Sequence, residues 1–97
     1  MTDGAAATLV CSEGYADRAS LRPLARIKSI AVAGCAPEIM GIGPVPASRK
    51  ALERAGLSIA EIDVAEVNEA FSSQSLACLR DLDLDADRVN LDGGAIA

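Results

Sequence analysis

A short β-branched run that ends at an asparagine constrains the fold of this chain more than any other stretch. Ile62, Val64 and Val67 form an apolar run bounded by polar residues, and helix-forming residues follow Asn68 over 69–82. Such a run predicts a strand that is buried on both faces. Ligands of open α/β sheets bind beyond the carboxyl ends of the strands, where helix N-termini expose unpaired N–H groups. Asn68 therefore lies where a site is expected, either as the N-cap of the following helix or as a functional residue.

The remaining elements are predicted from apolar periodicity, capping residues and turn residues. Strands are predicted over 5–11, 24–32 and 89–91, and a loop over 34–46. Helices are predicted to about Leu21, with Ser12 as the N-cap, and over 46–55. Ser58 and Glu61 match a capping box that is followed by a single turn. In the 46–55 helix, Arg49 and Glu53 are expected to pair on the surface, and Gly56 is expected to cap the C-terminus. Helices on either side of the 62–67 strand predict a parallel crossover. The predicted fold class is α/β, a mixed sheet covered by helices with the 62–67 strand at its centre.

Composition limits the function classes. The chain has 97 residues, of which 51% are hydrophobic and 24% charged, so that one small globular unit is expected. With one Phe and one Tyr, the core must be built from Ala, Val, Leu and Ile. A net charge of −5 argues against a nucleic-acid partner. No apolar run approaches the ~20 residues that span a bilayer, and the start lacks the pattern of a signal peptide. We therefore expect a soluble, intracellular protein without a membrane partner, in the cytoplasm, with an organelle left open.

Three cysteines are widely spaced and the chain contains no histidine. This pattern fits neither a disulfide framework nor a zinc site. Cys11 and Cys78 stand in apolar stretches, so both are predicted to be buried, protonated and unreactive. Cys35 is placed in a loop, and its role is left open.

Alternating acidic residues after the 69–82 helix resemble a calcium loop. They are Asp81, Asp83, Asp85 and Asp87, with Asp92 further on. An EF-hand loop needs Gly at its sixth position, a hydrophobic residue at its eighth and Glu at its twelfth, where this chain has Ala86, Arg88 and Asp92. We therefore expect a solvated connection here and no bound metal.

Three motifs occur in the order and spacing found in thiolases. They are Met40-Gly41-Ile42-Gly43-Pro44-Val45-Pro46-Ala47, then Asn68-Glu69-Ala70-Phe71, and finally Gly93-Gly94-Ala95-Ile96-Ala97. On these motifs the chain resembles the thiolase family, and the resemblance implies a partial thiolase-like fold that is an incomplete domain. Residues 1–23 would be the end of the thiolase N-terminal domain. Residues 24–97 would be the first part of the C-terminal domain, truncated before a Gly-His-Pro motif.

The resemblance implies an acyltransferase that breaks or forms the carbon–carbon bond of a 3-ketoacyl-CoA. It assigns Asn68 to the catalytic asparagine that holds a water, Met40 to a position beside the acyl group, and Ala70 with Phe71 to the pantetheine channel. Gly93 and Gly94 match the turn that leads to a catalytic histidine. Coenzyme A is implied as a substrate, and no covalently bound cofactor is implied. The implied partners are the acyl-CoA and the remaining thiolase halves, or a homo-oligomer, dimer or tetramer, in the full enzyme.

The catalytic histidine and both catalytic cysteines of the family have no counterpart in this sequence. Two functional classes therefore stay open. The first is a thiolase fragment that has no turnover by itself. The second is a non-catalytic, thiolase-like half-domain that docks on a partner chain.

Overall fold

The computed structural model describes residues 4–96, which form three α-helices joined by short 3₁₀ segments. The helices are α1 (Glu13–Arg18), α2 (Pro44–Ala55) and α3 (Ser72–Leu82). The 3₁₀ segments are Pro37–Ile42, Ile59–Glu61 and Ala86–Arg88. Within residues 4–96, no helix has both the length and the apolar character needed to cross a membrane.

Helix α1 begins where the sequence predicts. The Ser12 hydroxyl accepts a hydrogen bond from the Tyr15 N–H at 3.3 Å, as an N-cap does. The helix ends at Arg18, earlier than the predicted end near Leu21. Ser20 has a φ of 54°, and this left-handed conformation cannot continue a right-handed helix.

Helix α2 confirms the predicted 46–55 helix but starts two residues earlier. Gly43 is its N-cap and a proline occupies the first turn, where a fixed φ and a missing N–H cost nothing. The predicted 34–46 loop is therefore partly wrong, because Pro37–Ile42 forms 3₁₀ turns and Pro44 already belongs to the helix. At the other end, Gly56 adopts φ 66° and caps the helix as predicted.

The side chain of Arg49 does not make the predicted surface pair with Glu53. Its guanidinium donates to the main-chain oxygen of Asp81 at 2.6 Å. The last carbonyls of a helix have no partner within the helix and carry partial negative charge, so they attract a cation. Arg49 thereby ties α2 to the C-terminal end of α3.

The turn after Ser58 is confirmed as a capping box. The carboxylate of Glu61 accepts from the main-chain N–H of Ser58 and from its hydroxyl, each at 2.8 Å. The single turn Ile59–Glu61 that follows is as short as expected.

The predicted strands are largely wrong for residues 4–96. Ala65 and Val89 form an isolated parallel bridge, in which the Ala65 N–H donates to Arg88 O and the Asn90 N–H donates to Ala65 O, both at 2.9 Å. Helix α3 lies between the two bridged residues, so the predicted parallel connection exists without the predicted mixed sheet. Val64 is half-exposed, which corrects the expectation of a central strand buried on both faces.

In the described part of the chain, the predicted strands over 5–11 and 24–32 pair with no other strand, and the predicted 89–91 strand is reduced to the single bridge of Val89 with Ala65. A strand is stable only when a neighbour satisfies its main-chain groups. In 24–32 the carbonyls of Ile30 and Val32 instead accept from the side chains of Arg54 and Lys50 on α2, at 2.6 and 3.3 Å. Side chains from a helix thus occupy positions that a neighbouring strand would fill.

The core is small and lies between α2 and α3. Val45, Cys78 and Leu82 are buried there, and Ile42 and Leu84 pack against them. The accessible surface is 7909 Å², against roughly 5200 Å² for a compact monomer of this mass. The radius of gyration is 15.7 Å, against about 13 Å for a compact domain of this length. Apolar faces of this chain are therefore open to contact with further polypeptide.

Candidate active site

An apolar groove of about 620 Å³ runs between α2, α3 and the segment that joins them. Four of the residues singled out from the sequence line it: Met40, Asn68, Ala70 and Phe71. Met40 belongs to the Pro37–Ile42 turns, whereas the other three belong to the segment before α3. The volume of the groove is in the range of small-molecule sites. The fold thus brings two distant sequence motifs to one cavity.

The walls of this groove are almost free of charge. Among its lining residues in the described part of the chain, Glu66 alone is charged. Met40 is 75% exposed and Phe71 is 68% exposed, so both stand at the open side of the groove. The arrangement suits an apolar chain that lies along the groove and reaches polar groups near Asn68.

A second, smaller pocket of about 390 Å³ adjoins the groove and shares Glu66, Val67 and Asn68 with it. Gly94 lines this second pocket, so that Asn68 stands between the groove and the glycine turn. Gly93 does not line either pocket. Its N–H donates to Asn90 O at 2.9 Å, and its φ of 96° favours glycine.

Of the two roles left open for Asn68, the structure does not support that of an N-cap. Helix α3 begins at Ser72, and its N-cap is Phe71, with a φ of −147°. Asn68 lies three residues further back, is exposed, and its main-chain oxygen accepts from the Ala70 N–H at 3.0 Å. The helix starts later than the predicted residue 69 because 68–71 are not helical: the chain bends at Ala70, and Phe71 is extended. The Asn68 side chain is consequently not used to cap α3.

Asn90 is a site residue that sequence analysis missed. Its Oδ1 accepts from the Val67 N–H at 2.7 Å, and its Nδ2 donates to Val67 O at 2.9 Å. These two bonds continue the pairing that Ala65 begins with the main chain of the 88–90 segment. Asn90 itself has a φ of 51°, a conformation that asparagine tolerates better than most residues. An asparagine just before Asp92-Gly93-Gly94 was the available signal for a turn at this point.

Glu69 is the second missed residue. Its Oε1 accepts from Asn90 Nδ2 at 3.1 Å and its Oε2 accepts from the Ile96 N–H at 2.8 Å. A Cβ atom at Gly94 would overlap this carboxylate, so a larger residue there would displace the end of the Glu69 side chain. The contacts span more than twenty residues of sequence, and the sequence offered only the adjacency of Glu69 to Asn68.

The cysteines fall into two groups. Cys78 is 1% exposed, lines the groove wall, and its Sγ donates to Gly41 O at 3.4 Å, which confirms the prediction of a buried thiol. Cys11 is exposed, which corrects the same prediction for it, because 5–11 has no sheet to bury it. Cys35 is exposed and lies outside the groove lining, 3.8 Å from the carbonyl oxygens of Ile39 and Met40.

Metal binding finds no support in the arrangement of side chains. Within residues 4–96, no three His, Cys, Asp or Glu side chains converge as metal ligands would. In the acidic stretch, Asp85 Oδ1 accepts from the Asp87 N–H at 3.0 Å, and Asp85 Oδ2 lies 3.7 Å from the Nε of Arg88. That carboxylate therefore already has partners within its own turn.

The chain is similar in sequence and in structure to known proteins. The family model of the thiolase C-terminal domain matches residues 21–97. The 3-ketoacyl-CoA thiolase of Marinomonas sp. is 57% identical over 100 aligned positions, which cover 100% of this chain and 26% of that protein. The crystal structure of human mitochondrial 3-ketoacyl-CoA thiolase aligns with a TM-score of 0.85 at 55% identity, over 89% of this chain and 22% of that one. Its complex with CoA aligns with a TM-score of 0.84 at 54% identity, over 88% and 22% respectively.

These similarities cover almost the whole of this chain but only part of its relatives. The chain spans about a quarter of the length of the curated relatives that it matches. The match to the family model and the close identity to 3-ketoacyl-CoA thiolases agree with the three motifs found in the sequence. The chain belongs to the thiolase family.

Proposed function

We propose that this chain forms the acyl-CoA side of a thiolase active site, in an enzyme that cleaves or forms the carbon–carbon bond of a 3-ketoacyl-CoA. The observation that carries the proposal is one apolar groove that contains Asn68 together with Met40, Ala70 and Phe71. A 3-ketoacyl thioester of coenzyme A offers apolar groups, in its acyl chain and in the methylene and methyl groups of its pantetheine arm, and a carbonyl oxygen. The groove offers apolar walls and one exposed amide, which match these two features.

Asn68 is the proposed catalytic residue. Carbon–carbon cleavage next to a thioester leaves a carbanion whose charge spreads to the thioester oxygen, and hydrogen-bond donors aimed at that oxygen lower the barrier. The side-chain amide of Asn68 can hold a water that donates to this oxygen. Its exposed position between the groove and the glycine turn gives it access to both.

The other predicted site residues have binding roles in this proposal. Met40 would contact the acyl group, and Ala70 and Phe71 would contact the pantetheine arm. The Gly93–Gly94 turn would lead the chain toward the histidine of the completed site. Coenzyme A acts as a substrate here, and no covalently bound cofactor is proposed.

The covalent steps require residues from outside this chain. A thiolase needs a cysteine nucleophile, a histidine and a second cysteine for proton transfer. The chain has no histidine, its Cys78 is buried, and Cys11 and Cys35 lie outside the groove lining. We therefore propose that the chain alone has no turnover.

The same proposal accounts for the large accessible surface of the chain. Residues 1–23 would be the end of the thiolase N-terminal domain and residues 24–97 the start of the C-terminal domain. Apolar side chains such as Leu24, Ile30 and Val32, which are 99%, 71% and 82% exposed, would then contact the remaining thiolase halves. The full enzyme that contains these halves would form a homo-oligomer, a dimer or a tetramer.

The test uses a completed enzyme, in which this chain replaces the matching quarter of the Marinomonas 3-ketoacyl-CoA thiolase. Asn68→Ala should lower the rate of acetoacetyl-CoA cleavage by about a hundredfold, the typical effect of losing one oxyanion donor. Its thermal midpoint should stay close to that of the unsubstituted enzyme, because the Asn68 side chain is exposed and does not cap α3.

Asp63→Ala is the matched control, since Asp63 is an exposed polar residue outside both pockets. It should leave both the rate and the thermal midpoint unchanged. An Asn68→Ala enzyme that cleaves acetoacetyl-CoA as fast as this control would overturn the catalytic role of Asn68.

A further inference from the structure

We propose that Glu69 and Asn90 form a positioning pair, which holds Asn68 and the Gly93–Gly94 turn in a fixed relation. The proposal rests on the thiolase function proposed above, because it assigns these two residues to the placement of the catalytic amide. Neither side chain has to touch the substrate for this role.

Both sequence neighbours of Asn68 are anchored to the same segment. On one side, the N–H and the carbonyl of Val67 bond to the side chain of Asn90 at 2.7 and 2.9 Å. On the other side, the Glu69 carboxylate accepts from Asn90 Nδ2 at 3.1 Å and from the Ile96 N–H at 2.8 Å. The exposed Asn68 is therefore held from both flanks by residues 90–96.

The hydrogen-bond pattern favours a carboxylate at position 69 and an amide at position 90. Two N–H donors converge on Glu69, and only a carboxylate offers an acceptor to each of them. Asn90 accepts with one side-chain atom and donates with the other, which an aspartate cannot do. The carboxylate also fills the space beside Gly94, so that the two segments are in direct contact.

Isosteric exchanges separate this role from simple packing. In Glu69→Gln the side chain keeps its size, but one of its two donors, Asn90 Nδ2 or the Ile96 N–H, then faces an NH₂ group. In Asn90→Asp a carboxylate faces the Glu69 carboxylate and the Val67 carbonyl. In the double variant Glu69→Gln with Asn90→Asp, the amide of residue 69 donates to the carboxylate of residue 90 and still accepts from the Ile96 N–H. The bond between the two residues is then restored in the reverse direction, with the net charge unchanged.

Kinetics of the completed enzyme and hydrogen exchange of the full 97-residue chain test the pair together. We expect each single variant to lower kcat for acetoacetyl-CoA cleavage by about ten- to a hundredfold, with KM little changed, because a small displacement of a catalytic group has effects of this size. Glu69→Gln should also speed amide exchange of the 90–96 segment by about tenfold or more, since a hydrogen bond to a charged acceptor is lost. The double variant should recover part of both effects, because it restores the bond between residues 69 and 90 but leaves the Val67 carbonyl facing a carboxylate. Glu53→Gln, the same change at an exposed site on α2, should alter neither.

Each possible result decides the question. The pair is refuted if the single variants match Glu53→Gln in kcat and in exchange. It is also refuted if the double variant is no better than the poorer single variant, or if the singles lower the thermal midpoint while kcat per folded enzyme stays constant. An Asn68→Ala enzyme with full activity would contradict the proposed function of Asn68 and not the pair. The amide exchange rates of 90–96 would still show whether Glu69 and Asn90 hold the turn.

Discussion

The side-chain amide of Asn90 takes the place of a strand's main chain beside Val67. It accepts from the Val67 N–H at 2.7 Å and donates to the Val67 carbonyl at 2.9 Å. The main chain of Asn90 is consequently free to turn, with a φ of 51°, toward the Gly93–Gly94 segment. A short parallel pairing thus ends without leaving Val67 unsatisfied, and the chain is redirected toward the candidate site.

Gly94→Ala is predicted to destabilise the fold around the site. The added Cβ would overlap the Glu69 carboxylate and displace it from its bonds to Asn90 and the Ile96 N–H, which costs about 1 kcal/mol. Urea denaturation followed by circular dichroism would measure the free energy of unfolding. Gly34→Ala is the control, because a Cβ at Gly34 meets nothing within 4 Å. Equal stability of the two variants would show that the Glu69 carboxylate does not lie against Gly94.

Acid should weaken the turn after Ser58. The Ser58 N–H, followed by its hydroxyl, holds the pKa of Glu61 below the ordinary value of 4.5. A carboxyl whose pKa is lower in the folded state stabilises the fold above its unfolded pKa, and this contribution is lost as the pH falls through the folded pKa. Below pH 4.5 the stability of the natural chain should therefore fall more steeply than that of Glu61→Gln.

The acid titration should be carried out at high salt, because the pKa of Glu13 is also lowered in the folded chain and its contribution to stability is also lost in acid. Its hydrogen bond and its charge interaction with Arg26 lower the pKa of Glu13, but that pair is exposed and screened by salt. The bonds of Glu61 go to uncharged groups and are less sensitive to salt. Parallel stability curves for the natural chain and Glu61→Gln across the acid range would contradict the prediction.

Two of the three thiols should react rapidly under native conditions. Cys11 and Cys35 are exposed, whereas Cys78 is 1% exposed between α2 and α3. An aromatic disulfide reagent should titrate two thiols quickly and the third only as the chain unfolds. The variant Cys78→Ser should keep the two fast reactions and lose the slow one. Three equally fast reactions in the natural chain would mean that the core around Cys78 opens readily.

Calcium should not bind to the acidic stretch that runs from Asp81 to Asp92. The Asp85 carboxylate is already engaged by the Asp87 N–H and by Arg88, and no bidentate glutamate closes the stretch. Isothermal titration of calcium into the chain should give no saturable heat at physiological concentrations. Saturable binding with micromolar affinity, abolished by Asp85→Asn, would disprove this expectation.

Features that depend on neighbouring residues could be predicted from the sequence. The Ser12 cap, the glycine that ends α2 and the capping box of Ser58 and Glu61 all occur as predicted. Each of them joins residues no more than a few positions apart, so its energy is decided by local chain geometry. The family motifs were readable for a similar reason, because each is a short contiguous string.

Which main-chain groups pair and which side chains meet could not be predicted from the sequence, because both depend on tertiary packing. The strand predictions failed because an apolar run becomes a strand only beside a neighbour, and in residues 4–96 the pairing is confined to Ala65 and Val89. Asn68 could not be distinguished from an N-cap until the position of Phe71 at the start of α3 was known. Glu69 reaches Asn90 and Ile96 across 21 and 27 residues, and nothing in the local sequence encodes those distances. Long-range contacts of this kind depend on how the whole chain packs, and they place the candidate site.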